Sequence, residues 1–76
     1  MLSPKERKAL KVASLLVYED HYSEFTFNGK KSTADYGLVL EVTKTCVIIE
    51  WLADNEEICE FLFTDNGVWS NLQVVE

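Results

Sequence analysis

The sequence predicts a small all-β domain, an antiparallel barrel of about five strands preceded by a short helix. Two observations predict it. Apolar and β-branched runs recur between tight polar connections, which is strand patterning. The chain is also only 76 residues long with three Gly and one Pro, enough for one hydrophobic core and too little for two. Apolar residues make up 47% of it and charged residues 26%, a globular composition that excludes wholesale disorder and fibrous structure.

Ser3-Pro4-Lys5-Glu6 is a helix start. Ser3 caps the first N–H groups, Pro4 takes the tolerated first position, and Glu6 completes a capping box. A helix follows from Pro4 to about Leu10 or Lys11. Two turns do not stand alone, so it must dock through Leu2, Ala9 and Leu10, leaving Lys5, Arg7 and Lys8 mostly outward.

The period then becomes strand-like. Val12–Tyr18 reads as the first strand, and Glu19–Glu24 as a polar loop. Phe25-Thr26-Phe27 reads as a short extended segment ending in Asn28-Gly29, a pair suited to the positive φ angles of a type I′ turn. Lys30–Asp35 reads as polar loop. Tyr36–Val42 is a strand, Thr43-Lys44-Thr45 a tight connection, and Cys46–Leu52 the next strand, apolar on both faces and hence central. Residues 53–56 make a turn. Glu57–Phe63 is a third strand of this group, with Cys59, Phe61 and Phe63 on one face and Ile58 and Leu62 on the other. After the turn Thr64–Gly67, Val68–Leu72 reads as one tight 3₁₀ turn and Leu72–Val75 as a last short strand. Closing these strands on themselves buries their edges.

Two cysteines are too few for a disulfide framework, and CxxC spacing is absent. Cys46, Cys59 and the single His21 do not supply the four ligands of a closed zinc site. Both cysteines stand in apolar runs and read as buried, reduced thiols, which favours a reducing cytoplasm. If residues 53–56 close the hairpin, Leu52 faces Glu57. Cys59 then opposes Glu50 and Cys46 opposes Phe63, so the thiols are not cross-strand partners. No run approaches the roughly 20 apolar residues of a membrane span, and Val12–Val17 is short for a signal peptide core. The expectation is an unprocessed cytoplasmic protein.

The net charge is −6. Residues 1–11 carry four basic residues against one acid, and residues 12–76 carry three against twelve. The chain divides accordingly into a basic N-terminal helix, 1–11, and an acidic β body, 12–76. Such a body repels phosphate backbones and anionic membranes and attracts a basic protein surface.

Val12-Ala13-Ser14-Leu15-Leu16-Val17-Tyr18 resembles the opening strand of SH3-like barrels. Gly37-Leu38-Val39-Leu40-Glu41-Val42 with Val47-Ile48-Ile49-Glu50-Trp51 resembles their central hairpin, shared with KOW-type modules, and Val68–Val75 resembles their closing turn and strand. Short proteins of this pattern are frequent among bacteriophage gene products. The resemblance implies an SH3-like barrel over residues 12–76. Ala13-Ser14 replaces the usual Gly-Asp, and the basic helix is an addition.

Candidate site residues follow from charge and aromaticity. His21 stands beside Glu19 and Asp20, but no nucleophile with an orienting third group accompanies it, so it reads as a solvated histidine. No enzymatic activity, cofactor or metal is expected. Asp54, Glu56, Glu57 and Glu60 form an acidic run suited to a basic partner, with Tyr22, Tyr36 and Trp69 as aromatic contacts. Tyr18 and Trp51 are further aromatic candidates, and Trp51 reads as core. The leading expectation is a phage-type accessory protein that binds another protein, as an inhibitor or assembly factor. The alternatives are nucleic-acid binding in the KOW manner through Lys5, Arg7, Lys8 and Lys11, or a homo-oligomeric structural role.

Overall fold

The computed structural model describes residues 2–54 and 56–75. The fold is mostly β and antiparallel. The elements in order are α1 (Pro4–Lys8), β1 (Leu15–Glu19), β2 (Phe25–Phe27), β3 (Lys30–Ser32), β4 (Ala34–Val42), β5 (Cys46–Trp51), β6 (Ile58–Leu62), α2 (Asn66–Trp69) and β7 (Leu72–Val74). Five strands form one sheet in the order β6-β5-β4-β1-β7, and β2 pairs with β3 as a separate hairpin. No hydrogen-bonded ladder joins β6 to β7 among the described residues, so the sheet is open where a closed barrel was expected.

The N-terminal capping box forms as read. The Ser3 hydroxyl accepts from the Glu6 N–H, and the Glu6 carboxylate accepts from the Ser3 N–H. The helix ends at Lys8, short of Leu10. The first strand starts at Leu15 rather than Val12. Residues 11–14 close a turn instead, in which the Ser14 N–H donates to the Lys11 carbonyl and Ala13 takes φ 73°. Val12 stands out in solvent.

The polar stretch Lys30–Asp35 is not loop. Asn28 and Gly29 take φ 51° and 80°, and this turn folds Lys30–Ser32 back onto Phe25–Phe27. Positive φ at both turn residues matches the twist of the flanking strands, so the pair nucleates a hairpin despite the lysines beyond it.

The β5–β6 register differs by one residue from the expected one. The Trp51 N–H donates to the Glu57 carbonyl at 2.7 Å, which lengthens the connection by one residue, and Glu56 takes φ 50°. Asn55 of the expected turn lies outside the described residues. Ile49 therefore faces Cys59, and Cys46 faces Leu62. Both thiols are free.

One core holds the molecule together. Leu2, Leu10, Leu16, Val39, Val47, Ile49, Trp51, Trp69 and Leu72 are buried in it, so the N-terminal helix and the sheet share a single interior. Gly37 in β4 faces Trp51. A Cβ on Gly37 would stand 2.6 Å from Ile49 Cγ2 and 2.9 Å from the Trp51 ring. The missing side chain is what lets the indole and Ile49 approach the β4 backbone this closely.

Candidate binding groove and its surroundings

Tyr18, Trp51 and Phe61 point to the same side of the sheet by strand alternation, and Phe25 on the β2–β3 hairpin leans over them. Consecutive rings touch. Tyr18 and Phe25 meet edge-on with centroids 6.0 Å apart, Tyr18 and Trp51 at 6.4 Å, and Trp51 and Phe61 at 6.1 Å. This arc of four rings, with Asp35, Glu57 and Cys59, lines a surface groove of about 220 Å³.

Two carboxylates border the groove in different ways. Asp35 is buried, and its Oδ1 accepts from the Tyr36 and Ala53 N–H groups at 2.8 and 3.1 Å. It ties the start of β4 to the chain leaving β5. Glu57 is exposed at the outer end. Cys59 lines the same groove, two residues along the chain from Glu57. Burial, then the neighbouring Glu57 carboxylate, pushes its thiol above the ordinary cysteine range, so the groove floor carries no thiolate at neutral pH.

The β2–β3 hairpin is held over the groove by the chain after β5. The Asp54 N–H donates to the Thr26 carbonyl at 2.8 Å, and Asp54 Oδ1 accepts from the Asn28 N–H at 3.1 Å. Below it, the β1–β2 loop is organised by Asp20, which accepts from the Tyr22 N–H, the Ser23 hydroxyl and the Tyr18 hydroxyl. These bonds, the Tyr22 N–H first, hold the Asp20 carboxyl below its usual range. His21 makes none of them. It stands exposed at the rim of a separate polar depression with Glu19, Ser70 and Asn71.

The acidic run is divided by the fold. Asp54, Glu56 and Glu57 lie on the connection at the groove's end, all exposed, while Glu60 projects from the opposite face of β6, between Ile58 and Leu62. Tyr22 is fully exposed on its loop, and Tyr36 is part-exposed against Phe27 outside the arc.

Two assignments are corrected. Trp69 is 0% exposed and cannot contact a partner. Its ring lies against Phe61 and stacks on Phe63, and its Nε1 donates to the Leu62 carbonyl. A turn residue reads as surface from sequence, but α2 folds inward and seals the core below β6. Arg7 is 1% exposed, not outward. Its Nε donates to the Leu2 carbonyl, and one Nη to the Phe63 carbonyl and Asn66 Oδ1. The guanidinium plane suits this fork of acceptors and the Trp69 face beside it. Lys5, Lys8 and Lys11 remain exposed.

Phe25, Phe61 and Asp35 escape the sequence reading as a site, whereas Tyr18 is an aromatic candidate there and Trp51 is weighed as a contact but read as core. Alternation marks the aromatics as inward-facing, and inward normally means core. Only the placement of the hairpin shows that the core is open along this side. Asp35 follows a polar stretch and carries no local sign of burial.

No family model matches the chain, and no curated protein and no solved structure matches it. Among the described residues no helix is long and apolar enough to cross a membrane, and no group of three or more His, Cys, Asp or Glu side chains is placed to hold a metal ion.

Proposed function

We propose that this chain is a non-enzymatic binding module whose aromatic groove, bordered by Glu57 and the acidic connection, takes a basic segment of a partner protein. The observation that carries this reading is the joined arc Phe25–Tyr18–Trp51–Phe61 with two carboxylates at its edges. Tyr18, Phe25 and Phe61 are half-buried and Trp51 is buried; the aromatic surface that they leave open to the groove gives binding energy, and acidic borders select the charge of what binds. A net charge of −6 adds long-range attraction for a basic partner.

The sheet order β7-β1-β4-β5-β6, with the β2–β3 hairpin inserted between β1 and β4, supports an SH3-like assignment. On that reading the protein is a small accessory factor of the kind bacteriophages encode, acting in the host cytoplasm as an inhibitor or assembly factor. The nucleic-acid alternative loses one of its four cations, because Arg7 is spent inside the core.

The test is affinity capture with tagged protein, followed by binding of the purified partner to the native chain and to a Glu57→Lys variant. Retained stability with at least about tenfold weaker binding supports the reading. Equal binding by both, or specific capture of RNA or DNA that weakens steeply with salt, rejects it.

Self-association is a second reading, favoured by Ile58 and Leu62, 59% and 45% exposed on the free edge strand β6. Glu60 stands between them, and a carboxylate at that position opposes edge-to-edge pairing of identical chains. Sedimentation across a range of concentrations decides it: a monomer throughout removes it.

A further inference from the structure

We infer that the groove is a receptor for one organic cation, the ammonium end of a lysine side chain on the partner, free or methylated. This deepens the binding reading above and rests on it for the biological source of the cation. The groove chemistry can be tested without any partner.

Three features of the groove carry the inference. First, its lining pairs ring faces with carboxylates. Tyr18, Phe25, Trp51 and Phe61 line it, and Asp35 and Glu57 line it too. Asp35 already accepts from the Tyr36 and Ala53 N–H groups, but a purely apolar ligand would desolvate the Glu57 carboxylate at a cost and give it no partner. A cation meets the negative ring faces and the carboxylates together. Second, neighbouring rings are turned against one another, by 89° for Tyr18 and Phe25, 77° for Tyr18 and Trp51 and 47° for Trp51 and Phe61. Rings at such angles present walls in more than one direction, as a compact, rounded cation needs, and not the single flat platform that a base or planar ring would use. Third, the size fits. A volume of about 220 Å³ lies below the roughly 300–1,000 Å³ of small-molecule sites, and suits one side-chain end.

No basic side chain of this chain lines the groove. Lys31 is engaged elsewhere, 3.1 Å from Glu24, and Arg7 is held by the carbonyls of Leu2 and Phe63 on the far side of Trp69. The cation must therefore come from outside.

The experiment titrates the full chain with choline, with n-butylammonium as the unmethylated lysine surrogate, and with 3,3-dimethyl-1-butanol, the neutral isostere of choline. Chemical shifts of the aromatic and backbone groups are followed by NMR. Choline or butylammonium should move the Tyr18, Phe25, Trp51 and Phe61 resonances in a saturable way. The neutral isostere should bind at least about fivefold more weakly, the loss of an exposed cation–π and ionic contribution of about 1 kcal/mol. Glu57→Gln, at an exposed position that does not support the fold, should weaken the cations severalfold and leave the isostere unchanged. Stronger binding of choline assigns a methylated lysine, and stronger binding of butylammonium a free one.

Equal affinity for choline and its isostere overturns the inference, because the groove would then be only apolar. Shifts confined to Asp54, Glu56 and Glu60 also overturn it, because the cation would then be a diffuse counterion. A partner that is lost with Glu57→Lys while no cation enters the groove rejects the inference and leaves the binding reading standing. Saturable cation binding with no protein partner captured supports the inference and rejects that reading.

Discussion

The guanidinium carbon of Arg7 lies 5.6 Å from the centroid of the Trp69 ring, and both side chains are buried. The pair joins the N-terminal helix to the turn before the last strand. Arg7 also reaches the Phe63 carbonyl and Asn66 across 56 and 59 residues of sequence. No acid pairs with this cation among the described residues; its remaining Nη has no hydrogen-bond partner there. The positive charge is held by carbonyl dipoles and a ring face.

Arg7→Lys should therefore destabilise the protein although the charge is kept. An ammonium cannot reproduce the planar fork that serves Leu2, Phe63 and Asn66 together. Urea unfolding should show a loss of about 2 kcal/mol or more, the scale of buried acceptors left unmade. A change below about 0.5 kcal/mol would mean that the helix docks through Leu2 and Leu10 alone.

Gly37→Ala should lower stability by about 1–3 kcal/mol, the range for overpacking a core. The added methyl meets Ile49 and the Trp51 ring at distances no relaxed structure tolerates. Because Trp51 is a wall of the groove, the same variant should also change its tryptophan fluorescence and weaken binding there. Loss of stability with unaltered groove binding would separate the two roles of that indole.

Cys59 should react slowly with iodoacetamide at pH 8, because burial and then the Glu57 charge oppose the thiolate. Glu57→Gln removes the charge and should accelerate the reaction at the same pH. Cys46, buried and within 3.2 Å of the Thr43 hydroxyl, should react more slowly still. Mass spectrometry of the alkylated peptides reads both rates, and an unchanged Cys59 rate in Glu57→Gln contradicts the placement of that carboxylate.

Acid should loosen two local structures first. Glu6 is held below its ordinary pKa by the Ser3 N–H and then the Ser3 hydroxyl, and Asp20 by the Tyr22 N–H and then Ser23. A carboxyl whose folded pKa is depressed stabilises the fold above its unfolded value, and that contribution disappears as the pH falls through the folded one. The helix start and the β1–β2 loop should thus lose order below pH ~4, visible as faster amide exchange at Glu6 and Tyr22. Ser3→Ala keeps the N–H and removes only the hydroxyl, so it should weaken the effect at Glu6 and leave Asp20 unaffected.

Much of the fold was legible because its signals are local. The capping box needs only Ser3, Pro4 and Glu6. The turn at Asn28-Gly29 needs only two residues willing to take positive φ. The alternation of Cys59, Phe61 and Phe63 against Ile58 and Leu62 fixes which face of β6 turns inward. The lysine-rich strand β3 was missed because polarity outweighed the turn that builds it, and the β5–β6 register slipped because one added residue in a turn is invisible to alternation.

The candidate site was much less legible. The acidic run is real as composition, yet alternation sends Glu57 to the groove and Glu60 to the opposite face. Trp69 and Arg7 read as exposed because a turn residue and a cation on a short helix are ordinarily solvated; the fold instead packs Trp69 on Phe61 and Phe63 and carries Arg7 to Phe63 and Asn66. The sequence by itself determined a small acidic β-rich domain with a capped basic helix, since composition, caps and turns act within a few residues. Tertiary structure alone decided that Arg7 goes inside, that Trp69 seals the core, and that Tyr18, Phe25, Trp51 and Phe61 meet around Asp35. Those contacts depend on how the β2–β3 hairpin and α2 fold across the sheet, and packing between distant segments leaves no periodicity to read.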